Sequence, residues 1–130
     1  MLLVKTKVGS SKIHGIGLFA AEFIPKGTQT WKFQPGFDLE LIENNLKELS
    51  EPARAQFKNY CYKDYTNGKY ILCSDDARFM NHSDNPNIAD SNPENDYAPD
   101  IAIRDIVERE ELTCNYKKGD ADWKRKLGYR

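Results

Sequence analysis

The sequence has no apolar run approaching the roughly 18–20 residues needed to span a bilayer. Its first residues, Met1-Leu2-Leu3-Val4-Lys5, lack the long apolar stretch of a signal peptide. Cys61, Cys73 and Cys114 are an odd number of cysteines, far apart, with no Cys-x-x-Cys pair. That argues against a structural zinc site and for buried free thiols in a reducing compartment. Neither sign of charge is in excess: 19 Lys and Arg face 20 Asp and Glu, a formal net charge of −1. Such a balance creates no large field and gives no reason to expect nucleic acid or an anionic membrane as a partner. Internal repeats, low-complexity tracts and linkers are missing as well. These absences leave a cytoplasmic protein, with no direct nucleic-acid or membrane binding, as the expectation.

What is present fits one domain spanning residues 1–130, long enough to bury a useful core. With 39% hydrophobic and 30% charged residues the composition is that of an ordinary soluble domain. Residues 3–8 read as a short strand. A second, at 17–21, follows a glycine turn, and Pro25-Lys26-Gly27 is a tight-turn signal. The β-branched and aromatic stretch 28–33 predicts a third strand. The period then changes. Asp38 can cap a helix in which Leu39, Ile42, Leu46 and Leu49 recur at helical spacing. Ser50-Glu51-Pro52 starts a second helix towards Phe57, because proline is tolerated in a first turn. This predicts a helical insert over about 38–60. Strand character returns at 69–74. Residues 81–99, rich in Asn, Asp and Pro, predict loop and turn. Ile101 and Ile103 alternate with small or charged neighbours, and 112–116 predicts a last strand on which Tyr116 is a half-buried aromatic. The expected fold class is mainly β with a small helical insert, its strands too short for a doubly wound sheet.

Three motifs carry candidate chemistry. Gly15-Ile16-Gly17-Leu18-Phe19-Ala20 permits a sharp turn and a close backbone approach to a ligand. It is not a dinucleotide fingerprint, having no third glycine and no following helix. Arg78-Phe79-Met80-Asn81-His82-Ser83-Asp84-Asn85-Pro86-Asn87 is a dense polar string holding one of only two histidines. Taken alone, it is a turn whose Asn and Ser side chains bond their own backbone. Glu110-Glu111-Leu112-Thr113-Cys114-Asn115-Tyr116 is a strand behind a charged turn.

In this order and spacing the three motifs resemble the SET domain family of protein-lysine methyltransferases, over most of the chain from about Val4 to Tyr116. The resemblance implies several short curved sheets and a knot-like crossing of the Asn-His-Ser and Glu-Leu-Thr-x-x-Tyr segments. It implies S-adenosylmethionine as methyl donor, S-adenosylhomocysteine as product, and no metal. His14, Gly15, Ile16, Gly17 and Leu18, with Arg78, Asn81, His82 and Tyr116, would form the cofactor site. The backbone around Ile16 and Gly17 would meet the methionine part, Asn81 its polar groups, and the His82 backbone the adenine edge. Trp123, with Tyr129 second, is the candidate to stack on the adenine, by residue type and position. Tyr116 matches the catalytic tyrosine.

The implied reaction is an in-line displacement in which a neutral lysine amine attacks the sulfonium methyl. Lysine has a reference pKa of about 10.4, so a poorly solvated channel must disfavour its ammonium. The tyrosine hydroxyl need only orient the amine. The implied partner is a protein or peptide presenting a lysine, and a homodimer stays open. The rival reading is a non-catalytic SET-like module that binds cofactor or peptide without turnover. Such a module would be expected to have lost Asn81, His82 or Tyr116, and all three are present.

The chain departs from the family in two places. Asp84 follows Asn-His-Ser where zinc-tailed members carry cysteine, and no cysteine follows Tyr116. A zinc-bound tail is therefore not expected, and residues 117–130 must close the site in another way. The usual channel tyrosine is replaced by Trp31 or Phe33, an aromatic wall without a hydroxyl. With fewer hydrogen bonds to the amine, room for more than one methyl is expected. Tyr60, Tyr62, Tyr65 and Tyr70 cluster after the insert; Tyr70 is taken with Trp31 and Phe33 as the substrate channel.

Overall fold

The computed structural model describes residues 1–95 and 97–129. In chain order its elements are β1 (Thr6–Ser10), β2 (Ile16–Ala20), β3 (Gln29–Trp31), β4 (Leu39–Leu41), α1 (Glu43–Lys47), α2 (Glu51–Tyr60), β5 (Tyr62–Lys63) and β6 (Tyr70–Leu72). A 3₁₀ turn (Asp76–Phe79) leads into β7 (Asn81–His82), β8 (Ile88–Asp90), β9 (Asp100–Ala102), β10 (Glu111–Cys114), α3 (Tyr116–Gly119) and α4 (Trp123–Lys126). They assemble into three small sheets, with strand orders β1-β2-β10-β7, β3-β9-β8 and β4-β6-β5.

The apolar residues explain how the sheets meet. Leu18, Ala20, Ile24, Met80, Ile88, Ala102, Ile106 and Leu112 form one core, drawn from β2, β8, β9, β10 and the segments between them. Burying each larger side chain contributes roughly 1.5–3 kcal/mol. Leu46, Phe57, Cys61 and Tyr70 form a second core, which fastens the helical insert to β6. In α2 the start signal is realised: Ser50 accepts from the Ala53 N–H at 3.4 Å and Pro52 occupies the first turn. The three cysteines are free thiols; Cys61 and Cys73 are buried and Cys114 is half-buried.

Three expectations about local structure are corrected. The insert does not begin as a helix at Asp38. That side chain is buried, and it accepts from the N-terminal ammonium at 2.9 Å, the Gln34 N–H at 2.9 Å and the Ser74 N–H at 3.3 Å. With Asp38 held this way, Leu39-Glu40-Leu41 extends and pairs antiparallel with β6, and helix starts only at Glu43. The polar stretch 81–99 is not all loop, since β7 and β8 lie in it. Tyr116 does not continue the last strand. Asn115 accepts from the Lys117 N–H at 3.0 Å and turns the chain into α3, with Tyr116 its first residue.

Candidate active site

The glycine turn between β1 and β2 is tied to the C-terminal motif by Asn81. Its Nδ2 donates to the carbonyls of His14 at 3.0 Å and Ile16 at 3.1 Å, and to Glu111 Oε1 at 3.0 Å. The Glu111 carboxylate also accepts from the Ser11 hydroxyl at 2.8 and 3.0 Å. Gly17 is glycine because of this carboxylate: a Cβ there would overlap Glu111 Oε1 and press on the Ser11 Cβ. Gly15 has a φ of +45, the left-handed region glycine tolerates. At Gly17 a close approach is thus made within the chain, on the side a Cβ would occupy.

β7 and β10 lie side by side as a parallel pair, Thr113 beside Asn81 and Cys114 beside His82. Asn87 clips the arrangement from the interior. It is 1% exposed, donates through Nδ2 to the Glu111 carbonyl at 2.8 Å and accepts from the Thr113 N–H at 2.8 Å. It therefore replaces the backbone bonds that so short a strand pair cannot supply. The sequence reading passed over both Asn87 and Glu111. The signal was present at Gly17, whose close approach had to be to something.

The parallel pair delivers Tyr116. Its N–H donates to His82 Nδ1 at 3.1 Å, which leaves the His82 proton on Nε2, 3.3 Å from Asp84 Oδ1. Its hydroxyl donates to the Met80 carbonyl at 2.5 Å. Burial, then Cys114 and Asp120, push that hydroxyl above its ordinary pKa, so it stays protonated near neutrality. Burial likewise pushes the adjacent Cys114 thiol up to about 12, which leaves no thiolate nucleophile beside it.

Tyr116 forms part of the wall of a cavity of about 710 Å³. Trp31, Arg78, Tyr60, Tyr62 and Tyr65 line it too. Trp31 and Tyr62 meet edge to face with ring centroids 6.2 Å apart. The tail closes one side. Lys126 pairs with the buried Asp120 at 2.6 Å, and Asp120 also accepts from the Lys63 N–H at 3.0 Å. The Lys126 ammonium sits 5.4 Å from the centre of the Tyr116 ring.

Not every sequence candidate reaches this cavity. Trp31 does, but Phe33 packs on Tyr97 at 5.8 Å, outside the lining. Tyr70 belongs to the second core: it is 4% exposed, with its hydroxyl on Glu43 Oε2 at 2.7 Å. Side chains alternate along β6, and the face Tyr70 occupies points at the insert. Tyr60, Tyr62 and Tyr65 take its place, so the wall does carry hydroxyls. Arg78 lines the cavity beside Tyr116 with its guanidinium over the Phe79 ring, whereas His14 to Leu18, Asn81 and His82 stand outside the lining. Leu18 is fully buried in the first core and paired with Val8 and Leu112 in the sheet, so it presents nothing to a ligand in this structure. Trp123 meets Tyr129 edge to face with ring centroids 5.3 Å apart, on the docked tail and outside the cavity lining. Of the tail, Arg130 lies outside the described residues.

Three small sheets, few helices, and an Asn-His-Ser strand locked to a Glu-Leu-Thr strand define the SET fold. The chain belongs to that family: the SET domain model matches residues 15–117. The chain is similar to "Putative histone-lysine N-methyltransferase 1" of Plasmodium falciparum (isolate 3D7), with 30% identity over 120 residues, 86% of this chain. It spans 2% of the length of that curated relative. Among solved structures, a "Plasmodium falciparum putative histone methyltransferase" superposes with a TM-score of 0.60 at 20% identity, covering 88% of this chain and 95% of that one. A chain of the Chaetomium thermophilum Polycomb Repressive Complex 2, in an autoinhibited conformation bound to S-adenosylmethionine, superposes with a TM-score of 0.63 at 24% identity. That match covers 96% of this chain and 16% of the other.

Proposed function

We propose that this SET domain transfers a methyl group from S-adenosylmethionine to the side-chain amine of a lysine in a protein or peptide. The observation that carries the reading is the Tyr116 hydroxyl on the Met80 carbonyl, at the wall of a cavity large enough for a side chain. It is set there by the lock between β7 and β10. The relatives' names and the donor bound in one neighbour support the choice of reaction and donor.

The residues suit the donor. Asn81 uses Nδ2 to hold the glycine turn, while none of the described hydrogen bonds reaches its Oδ1, which can accept from an ammonium. The exposed His14–Ile16 backbone beside it supplies further polar groups. Bound there, S-adenosylmethionine supplies an electrophilic methyl on a sulfonium. The chain's own part is positioning. Tyr62, Trp31 and Tyr116 supply aromatic walls to the cavity, and an amine held against them loses solvation, which favours its neutral form over the ammonium. The protonated Tyr116 hydroxyl and the Met80 carbonyl form a fixed pair of polar groups against which the amine is oriented.

The test is incubation with labelled S-adenosylmethionine and whole-cell lysate, followed by mapping of labelled sites by mass spectrometry. Label on lysine is the expected result. Calorimetric titration with S-adenosylhomocysteine runs alongside. Binding with no transfer to any protein would leave the non-catalytic module.

A further inference from the structure

The sequence leaves open what fastens a tail that has no cysteine. In the structure the tail grips one stretch of chain, residues 58–65, which carries Tyr60, Tyr62 and Tyr65 of the cavity wall. The Lys63 N–H donates to Asp120 Oδ1 at 3.0 Å, and the Ala121 N–H donates to the Lys63 carbonyl at 2.8 Å. The tail thus serves as a neighbour to β5, an edge strand of its sheet. Arg125 donates to the Lys58 carbonyl at 2.7 Å, and the Tyr65 hydroxyl donates to the Lys117 carbonyl at 2.9 Å. Lys126 is the convergence point. Its ammonium meets Asp120 Oδ2 at 2.6 Å, the Cys61 carbonyl just before β5, and the Tyr116 ring, 5.4 Å from the ring centre. The Asp120 and Lys126 side chains are only 3% and 11% exposed.

A buried ion pair is a poor fastener, because desolvation offsets the attraction and an apolar pair of the same size would hold the tail as well or better. What it adds is direction. Tyr116 follows β10 in the four-stranded sheet, whereas Tyr62 lies on β5 in the sheet of the insert. Among the described residues no strand pairing joins those two sheets, and Lys126 reaches both walls. The Tyr116 ring needs such a contact. Its hydroxyl is held by the Met80 carbonyl and its backbone N–H by His82. Neither bond opposes rotation of the ring, since the hydroxyl oxygen lies on the axis about which the ring turns. A phenol keeps its O–H in the ring plane, so the plane sets where the oxygen lone pairs point. A cation at the face resists that rotation, because its attraction is to the face and not to the edge.

We propose that Lys126, held by Asp120, is a positioning residue for the methyl transfer: its ammonium fixes the plane of the Tyr116 ring, and so the direction of the hydroxyl, relative to the wall at residues 61–62. The consequence for turnover rests on the methyltransferase reading of the site; the hold on the ring does not.

The experiment separates the charge from the fastening. In the double variant Asp120→Asn/Lys126→Met the new amide oxygen still accepts from the Lys63 N–H and the new thioether keeps the length of the stem, while both charges go and neither is stranded. Lys126→Arg keeps the charge, and thermal melts show that each variant is folded. Ring rotation is read by NMR on protein with ring-labelled tyrosine, the Tyr116 signals being assigned with Tyr116→Phe. Turnover is read as kcat and KM with labelled S-adenosylmethionine and a peptide copied from the lysine most heavily labelled in the lysate. In the double variant the Tyr116 ring should turn about tenfold faster and kcat should fall about tenfold, in line with losing a desolvated contact between a cation and a ring. KM and the affinity for S-adenosylhomocysteine should stay within about twofold, and Lys126→Arg should keep kcat within about threefold of the wild type. An unchanged ring rate in the folded double variant overturns the proposal. A loss seen only in KM overturns it as well, and so does a kcat that Lys126→Arg leaves as low as the double variant, which would assign the loss to packing. A freed ring with no transfer even by the wild type leaves the hold on Tyr116 standing and removes the methyltransferase reading. Transfer that neither variant alters does the reverse.

Discussion

The Tyr116 hydroxyl donates to the Met80 carbonyl at 2.5 Å, and the Tyr116 N–H donates to His82 Nδ1 at 3.1 Å. The hydroxyl and the backbone of one residue are thus anchored separately to the motif that precedes it by more than thirty residues. Tyr116→Phe removes one anchor and keeps the other. The prediction is a fall in kcat of about 100- to 1,000-fold, in line with losing one positioned group from a reacting centre. Affinity for S-adenosylhomocysteine should change less than about twofold, and stability by about 1 kcal/mol. Single-turnover kinetics, calorimetry and a melt read the three quantities. An unchanged methylation rate would remove Tyr116 from the chemistry.

Gly17 and Glu111 make a sharper structural prediction. Gly17→Ala places a Cβ against the Glu111 carboxylate, which Ser11 and Asn81 hold in place and which cannot simply swing away. The expected loss is about 1–3 kcal/mol, the usual range for overpacking. Glu111→Ala alone should also destabilise, by stranding the Ser11 and Asn81 donors. In the double variant the clash has no partner, so its loss should be smaller than the sum of the singles by about 1 kcal/mol or more. Urea denaturation of the four proteins gives the coupling. Simple additivity would mean that Gly17 is glycine for another reason, the ligand approach read from the sequence among them.

This pair also shows what the sequence could and could not disclose. The three motifs, their order and the Ser50 cap of α2 were legible, because each sits in a short contiguous pattern; the meeting of Asn81 and Tyr116 in one region followed only from the family resemblance. Glu111 was read as part of a charged turn, since nothing local says that its carboxylate folds back onto Gly17, 94 positions earlier. Tyr70 and Tyr62 looked equivalent, and only the pleat of two- and three-residue strands sends one to the insert core and the other to the cavity. Strands that short leave no periodicity to measure. Asp38 and Leu39 fitted a helix by spacing; donors distant in sequence, the Ser74 N–H among them, and the pairing of residues 39–41 with β6 hold them otherwise.

Asn87 is the least conspicuous of the structural residues and one of the costliest to lose. Asn87→Ala leaves the Glu111 carbonyl and the Thr113 N–H unpaired in the interior. With a penalty of about 1–3 kcal/mol for each stranded group, the variant should lose roughly 2–5 kcal/mol. It should also loosen the β7–β10 pair that presents Tyr116. The neighbouring Asn85 is exposed, and Asn85→Ala should stay within about 0.5 kcal/mol. Denaturation midpoints compare the two. Equal effects would show that the motif acts as a turn and not as an internal clip.

Asp100 gives a pH dependence of stability whose sign is the reverse of the common carboxylate case. Its folded pKa is raised to about 7, first by burial and then by Asp90, with the N-terminal ammonium opposing. An unfolded Asp titrates near 3.9. Between about 4 and about 7 the folded chain therefore keeps a proton that the unfolded chain has released, and stability falls as pH rises through that window. Above it the half-buried carboxylate carries its charge at a desolvation cost. At about 1.4 kcal/mol per unit the ceiling is near 4 kcal/mol, and relaxation around the group brings the expectation to about 1–3 kcal/mol. Asp100→Asn, which has the shape of the protonated acid, should accordingly stabilise the protein by that amount at pH 8 and by less than about 0.5 kcal/mol at pH 4.5. Carboxylates that act in the ordinary sense, such as those in the described ion pairs, are common to both proteins and cancel in the difference. Chemical denaturation across the pH range reads the difference directly. A variant less stable than the wild type at pH 8 would show that the Asp100 charge already has a partner inside the fold. A gain at high pH alone would mark a charge that the folded protein keeps at the expense of its own stability.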